Sequence, residues 1–154
     1  MTLDELVGAD AIAVGVGVST RKTVLAQLSH LLAEQTGFDA QVILNALLER
    51  EKLGTTGFGG GVAIPHGRIA GLGRMFGAIL LPTQSIDYDA VDDRPVDIFF
   101  ALLAPEGSGA EHLKTLARVS RAFRDPGFSA RLRGAKDAAA VRAILAAGAE
   151  RAAA

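Results

Sequence analysis

Thr56-Gly57-Phe58-Gly59-Gly60-Gly61-Val62-Ala63-Ile64-Pro65-His66-Gly67 divides the chain into two kinds of pattern. The longest patterns before it are helical stripes; after it come apolar runs of strand length and then more helices. Gly54 to Gly61 holds five glycines and two threonines, which predicts a loop whose backbone visits positive φ and approaches other atoms closely. Val62-Ala63-Ile64 then reads as a short strand. Pro65 has no amide donor and drives Ile64 toward extended backbone, so the strand is expected to end in a Pro65-His66-Gly67 turn. His66 is thereby placed at a strand end.

Working outward toward the N-terminus, Asp39 is a cap for a helix with the stripe Val42, Ile43, Ala46 and Leu47, ending at Leu53-Gly54. Ser19 or Thr20 caps an earlier helix, in which Val24, Leu25, Leu28, Leu31 and Leu32 share a face and Gly37 marks the stop. Ala11 to Val18 reads as a short buried strand interrupted by Gly15 and Gly17. Toward the C-terminus, Met75 to Leu81 and Val96 to Leu103 read as core strands joined by the acidic segment Asp87 to Asp93. A helix from Ala110 to Arg124 turns Leu113, Leu116, Ala117, Ser120 and Phe123 inward. Asp125-Pro126 opens a short helix, and Ala135 to Ala147 forms a last one. The expectation is one α/β domain over residues 1–148, with 149–154 a disordered, alanine-rich tail.

With 154 residues, about half of them apolar, one core is enough for the chain. There is no cysteine, which removes disulfides and thiolate metal sites and suits a reducing compartment. No apolar run approaches the roughly 20 residues a bilayer demands, and acids stand where an export signal needs basic residues; the expectation is a cytoplasmic protein without membrane insertion. Residues 1–111 carry seven Lys/Arg against fourteen Asp/Glu, and residues 112–154 nine against three. The basic third has little aromatic interleaving and no nucleic-acid motif, so it reads as a solvated helix face or a protein-docking patch and not as a nucleic-acid footprint.

His66, between a rigid and a permissive residue, is the leading chemical candidate. A neutral imidazole is a good nucleophile near pH 7, and flanking glycine amides offer hydrogen bonds to an anion. Thr56, Gly57 and Gly67 are the loop residues placed near such a phosphate. The alternative is a histidine that caps a strand by bonding a carbonyl. Arg50, seven residues after Ile43, continues a helix stripe; it either bonds the last carbonyls of its helix or turns its guanidinium to an anion. His112, in the first turn of a helix, is either a half-buried polar residue or a second histidine beside the phosphate. His30 is a surface residue. The loop lacks the Gly-Lys-Ser/Thr ending of a nucleotide site and the third glycine of a dinucleotide fingerprint. The acidic segment lacks a calcium-loop pattern, and His66 with His112 shows no helical pairing for zinc. Neither metal nor cofactor is expected.

Four segments carry a resemblance: Arg50-Glu51-Lys52-Leu53-Gly54-Thr55-Thr56-Gly57; Val62 to Gly67; Val91-Asp92-Asp93-Arg94-Pro95-Val96-Asp97 with Phe100-Ala101-Leu102-Leu103; and His112-Leu113-Lys114-Thr115-Leu116. Together they resemble the type-2, fructose/mannitol-like IIA domain of the bacterial phosphoenolpyruvate-dependent phosphotransferase system, from about Ser19 to Gly148. The resemblance implies a mixed central sheet flanked by helices on both sides. It also implies phosphorylation of His66 on Nε2, with Arg50 and His112 around the phosphoryl group. The length looks like the nitrogen-related branch, which implies a phosphotransferase of regulatory function with an HPr-like phosphocarrier (NPr) as donor and regulatory target proteins as partners. The alternatives are a sugar-type IIA component passing phosphate to a IIB domain, or a binding regulator acting through its unphosphorylated form. The loop Gly57 to Gly61 is richer in glycine than that branch leads one to expect.

Overall fold

A computed structural model describes residues 2–153, with side chains through residue 147. Side chains of the alanine-rich stretch expected to fray lie outside the described ones. The sheet has six strands among the described residues, in the order β1-β5-β6-β3-β2, with β4 also on β6. Its centre is the pair β5 (Phe76–Pro82) and β6 (Ile98–Pro105), antiparallel with Phe76 opposite Leu103 and Leu80 opposite Phe99. Both are apolar almost throughout, as strands covered on two faces must be. Consecutive strand residues point to opposite faces: the Phe99 ring meets Tyr88 at 5.3 Å, while Phe100 meets Phe123 at 5.4 Å.

One face is covered by α2 (Arg21–Thr36) and α3 (Ala40–Lys52), which pack together and against β1, β5 and β4. Thr20 caps α2 in a reciprocal box with Thr23, and α2 stops at Gly37, whose amide bonds Ala33 O. Asp39 caps α3 by accepting from the Gln41 amide. The other layer is α4 (Gly109–Arg124), α5 (Pro126–Arg133) and α6 (Ala138–Ala153). The result is a mixed α/β domain with a mixed central sheet and helices.

Several expectations need correction. The first strand, β1 (Val7–Val16), starts earlier than Ala11 and is a half-buried edge strand, paired in parallel with β5 alone; a short helix, α1 (Leu3–Leu6), precedes it. Val42 is 48% exposed despite its place in the α3 stripe. On α4 the inward face is rotated: Leu113 is 62% exposed and Ala117 exposed, while His112, Val119 and Phe123 are buried. The histidine takes the inward position that apolarity alone assigns to its neighbour. The last helix begins at Ala138 and not Ala135, after Asp137 bonds the Ala140 amide.

The glycine segment contains a hairpin and is not wholly loop. β2 (Gly57–Gly59) pairs antiparallel with β3 (Val62–Ala63), and Gly59, Gly60 and Gly61 all take positive φ at the bend, as a tight reversal requires. β3 and then β4 (His66–Ile69) occupy the same edge of β6: Val62 and Ala63 lie beside Ile98 and Phe99, and His66 and Gly67 beside Leu102 and Leu103. Ile64-Pro65 is the break between them. His66 therefore opens a second strand instead of sitting in a turn, because Pro65 interrupts the ladder without ending the chain's course along β6; its carbonyl still accepts from Leu102 N.

Candidate functional site

The break at Ile64-Pro65 leaves the Ile64 carbonyl beside the His66 ring, 2.8 Å from Nδ1. At Nε2, 3.2 Å away, stands Arg50 Nε. A guanidinium only donates, so Nε2 is the acceptor with the free lone pair, and Nδ1 carries the proton that Ile64 O accepts. The tautomer is thus fixed by two neighbours from different elements. Arg50 is held in turn, its Nη1 donating to Gly54 O at 2.8 Å. Arg50 thus bonds a carbonyl just past its helix end and also faces His66.

Gly67 makes the approach of α3 to β4 possible. A Cβ there would lie 3.1 Å from Ala46 Cβ and 3.2 Å from Ala46 C and O, close enough that α3 would have to give by a few tenths of an ångström. From the opposite layer comes His112, 4% exposed, its ring centroid 5.6 Å from that of His66 with planes at 44°. Its Nδ1 has no hydrogen-bond partner among the described residues. His66, Arg50 and His112 are therefore brought together from β4, α3 and α4.

Burial of the ring lowers the pKa of His66 below 6.5; the Arg50 and Arg68 charges act in the same direction, while the Ile64 bond and Glu51 oppose them. His112 is depressed further, to about 4, by burial first and then by His66 and Arg68. Both rings are neutral at pH 7. An uncharged imidazole with its lone pair facing an arginine is a nucleophile poised beside an anion-stabilising group.

The loop residues are employed differently from what was expected. The Thr56 amide donates to Glu51 Oε2 at 3.2 Å and its hydroxyl to Glu51 Oε1, so neither donor is turned to a phosphate. Gly57 is a packing glycine, since a Cβ there would lie 2.9 Å from Ala90 Cβ. His30 is exposed. Among the described residues, no group of three or more His, Asp or Glu is placed to hold a metal ion, and no helix is long and apolar enough to cross a membrane.

The family model described as phosphoenolpyruvate-dependent sugar phosphotransferase system, EIIA 2, matches residues 5–148. The chain belongs to this EIIA type-2 family. It is 44% identical over 146 residues to a nitrogen regulatory protein of Bradyrhizobium diazoefficiens, covering 95% of each chain. To a nitrogen regulatory protein of Pseudomonas aeruginosa it is 42% identical over 133 residues, 86% of each. The crystal structure of nitrogen regulatory protein IIA-Ntr from Neisseria meningitidis superposes with a TM-score of 0.87 at 34% identity, covering 92% of this chain and 97% of that one. The EIIA resemblance read in the sequence, including its lean toward the nitrogen-related branch, is thus supported along almost the whole chain.

Two further buried polar residues were assigned no role from the sequence. Glu51, 9% exposed, and Tyr88, 1% exposed, are joined by a 2.7 Å bond from the Tyr88 hydroxyl to Glu51 Oε1. Tyr88 is the only tyrosine of the chain and stands in the acidic segment Asp87 to Asp93. An aromatic residue among four aspartates was the available signal.

Proposed function

We propose that this protein is a phosphocarrier that accepts a phosphoryl group on His66 Nε2 from a phosphohistidine on a small HPr-like protein of the nitrogen-related branch, NPr. In this reading it works in the cytoplasm mainly as a regulator. The observation that carries this reading is the fixed tautomer of His66, with Nδ1–H on Ile64 O and the Nε2 lone pair beside Arg50 Nε.

In the step itself, the Nε2 lone pair attacks phosphorus in line, and the donor's N–P bond breaks with its electron pair returning to the donor ring. His66 keeps its Nδ1 proton, so positive charge builds on its ring, and the Ile64 carbonyl stabilises that charge. Arg50 shifts from the nitrogen to a phosphoryl oxygen. His112, neutral and enclosed, can donate its ring N–H to the same group, whose negative charge in turn raises the proton affinity of the ring. Onward transfer reverses these movements.

The similarity to nitrogen regulatory proteins favours regulatory output over sugar uptake. Incubation with phosphoenolpyruvate, the first enzyme of the relay and either a nitrogen-type or a sugar-type carrier separates the two. Faster acceptance from the nitrogen-type carrier, with no passage to a fructose- or mannitol-type IIB domain, supports the regulatory reading. Efficient passage to IIB would replace it with a sugar-type IIA role.

A further inference from the structure

Glu51 follows Arg50 on α3 and so projects about 100° away around the helix. An acid in the last turn of a helix faces the negative end of the macrodipole, and a buried carboxylate is costly unless hydrogen bonds compensate it. Here they do. The Thr56 amide and hydroxyl and the Tyr88 hydroxyl all donate to it. Tyr88 is anchored in turn: its ring packs on Phe99 of β6, and the Arg21 guanidinium lies 5.8 Å from the ring centre. One carboxylate thus ties the last turn of α3 to the start of the hairpin, to the acidic segment and, through Tyr88, to the central strand.

The position of this knot gives it a chemical consequence. Arg50 aims at His66 only if the last turn of α3 is held, and that turn is held by its neighbour. We propose that Glu51, fixed by Thr56 and Tyr88, is a positioning residue for phosphoryl transfer: it sets the α3 end so that Arg50 Nε stays on His66 Nε2, and its negative charge offsets the cations around that ring. The inference rests on the phosphotransfer reading above. The charged groups acting on His66 are Arg50 and Glu51 from α3 and Arg68 from β4, and Glu51 is the one whose charge favours a more basic ring. The ring of His112 faces it from α4. Removing the carboxylate charge leaves two cations unopposed, which lowers the basicity of the Nε2 lone pair and so weakens it as a nucleophile.

The test is a set of Tyr88→Phe, Glu51→Gln and Arg50→Ala proteins, with Tyr88→Phe also combined with Arg50→Ala. Single-turnover acceptance from a phosphorylated HPr-like carrier is timed for each, and His66 is titrated by NMR. Small displacements of a positioning group cost up to about a hundredfold in rate. Tyr88→Phe is expected to fold and to slow acceptance by roughly three- to tenfold. Glu51→Gln should slow it on the order of tenfold and move the His66 titration to lower pH. On the Arg50→Ala background the Tyr88→Phe effect should shrink to less than about twofold, since the route runs through Arg50.

Rates within about twofold of wild type for both single variants would overturn the proposal. So would an undiminished Tyr88→Phe effect on the Arg50→Ala background with an unmoved His66 titration, because a purely structural role behaves that way. If Glu51→Gln does not fold, the Tyr88→Phe cycle decides alone. Should the wild-type protein accept no phosphoryl group, the proposed function falls, whereas normal acceptance by both variants removes only this inference.

Discussion

Replacing Arg50 by alanine removes two bonds of different consequence. The 2.8 Å bond from Nη1 to Gly54 O is an ordinary helix-end contact, worth about 1 kcal/mol, or roughly 2–4 °C in melting temperature for a chain of this size. The contact of Nε with His66 Nε2 at 3.2 Å bears on the chemistry. Once Nε2 is bonded to phosphorus, the guanidinium is left with a phosphoryl oxygen to bond. A donor to developing charge in an enclosed site contributes about 2.7–4 kcal/mol. Arg50 is only half-buried, and water replaces part of what is lost, so about 1.4–2.7 kcal/mol is the better figure, a slowing of roughly 10- to 100-fold. Arg50→Lys keeps the charge but not the planar fork that reaches Gly54 O and His66 together, and should fall between wild type and alanine. Rapid quench followed by intact-mass analysis gives the rate of acceptance, and a thermal melt gives the stability. Acceptance within about twofold of wild type in Arg50→Ala would refute the role and leave Arg50 as a helix-end residue.

His112→Ala should still accept a phosphoryl group on His66 but pass it on slowly; an unchanged rate of onward transfer, or no movement of the His112 ring resonances when His66 is phosphorylated, contradicts a shared site. The depressed pKa of His112, about 4 in the folded chain against 6.5, means that the unfolded chain binds its proton more tightly. The stability tied to the neutral ring is therefore present above pH 6.5 and is lost as pH falls toward 4, on the order of 2–3 kcal/mol. Denaturant midpoints at both ends of that window, in wild type and in His112→Gln, check it: the variant should lose less stability, and equal losses would assign the pH dependence elsewhere. Gly67→Ala puts a methyl group 3.1 Å from Ala46 Cβ. It should cost about 1–3 kcal/mol and, by lifting α3 from β4, slow acceptance as well; an unchanged melting temperature and rate would show that the contact yields freely.

What could be read in the residues was whatever local chemistry announces. The stripe of α2 with Thr20 and Gly37 at its ends, Asp39 at the start of α3, and the apolar runs of β5 and β6 all follow from spacing and capping. Pro65 placed His66 at an interruption, although the chain continues beyond it along the same edge of β6. The hairpin strand Gly57–Gly59 was hidden because a glycine-rich strand has no alternation of side chains to detect. The rotated face of α4 was hidden because His112 is buried through a partner on β4, information that exists only once the layers meet. Thr56 looked like a phosphate ligand from its neighbours in sequence, yet its donors serve Glu51. The likeness to a known family, not periodicity, brought Arg50 and His112 to the same point as His66.

The most direct test is intact-mass analysis of the wild-type and His66→Ala proteins after incubation with phosphoenolpyruvate, the first enzyme of the relay and a nitrogen-type carrier, followed by nitrogen-resolved NMR of the adduct. The wild-type protein should gain one acid-labile phosphoryl group on Nε2 of His66, and His66→Ala should gain none. A phosphoryl group on His66→Ala, or attachment at Nδ1, the atom bonded to Ile64 O, would contradict the assignment of His66 Nε2 as the acceptor.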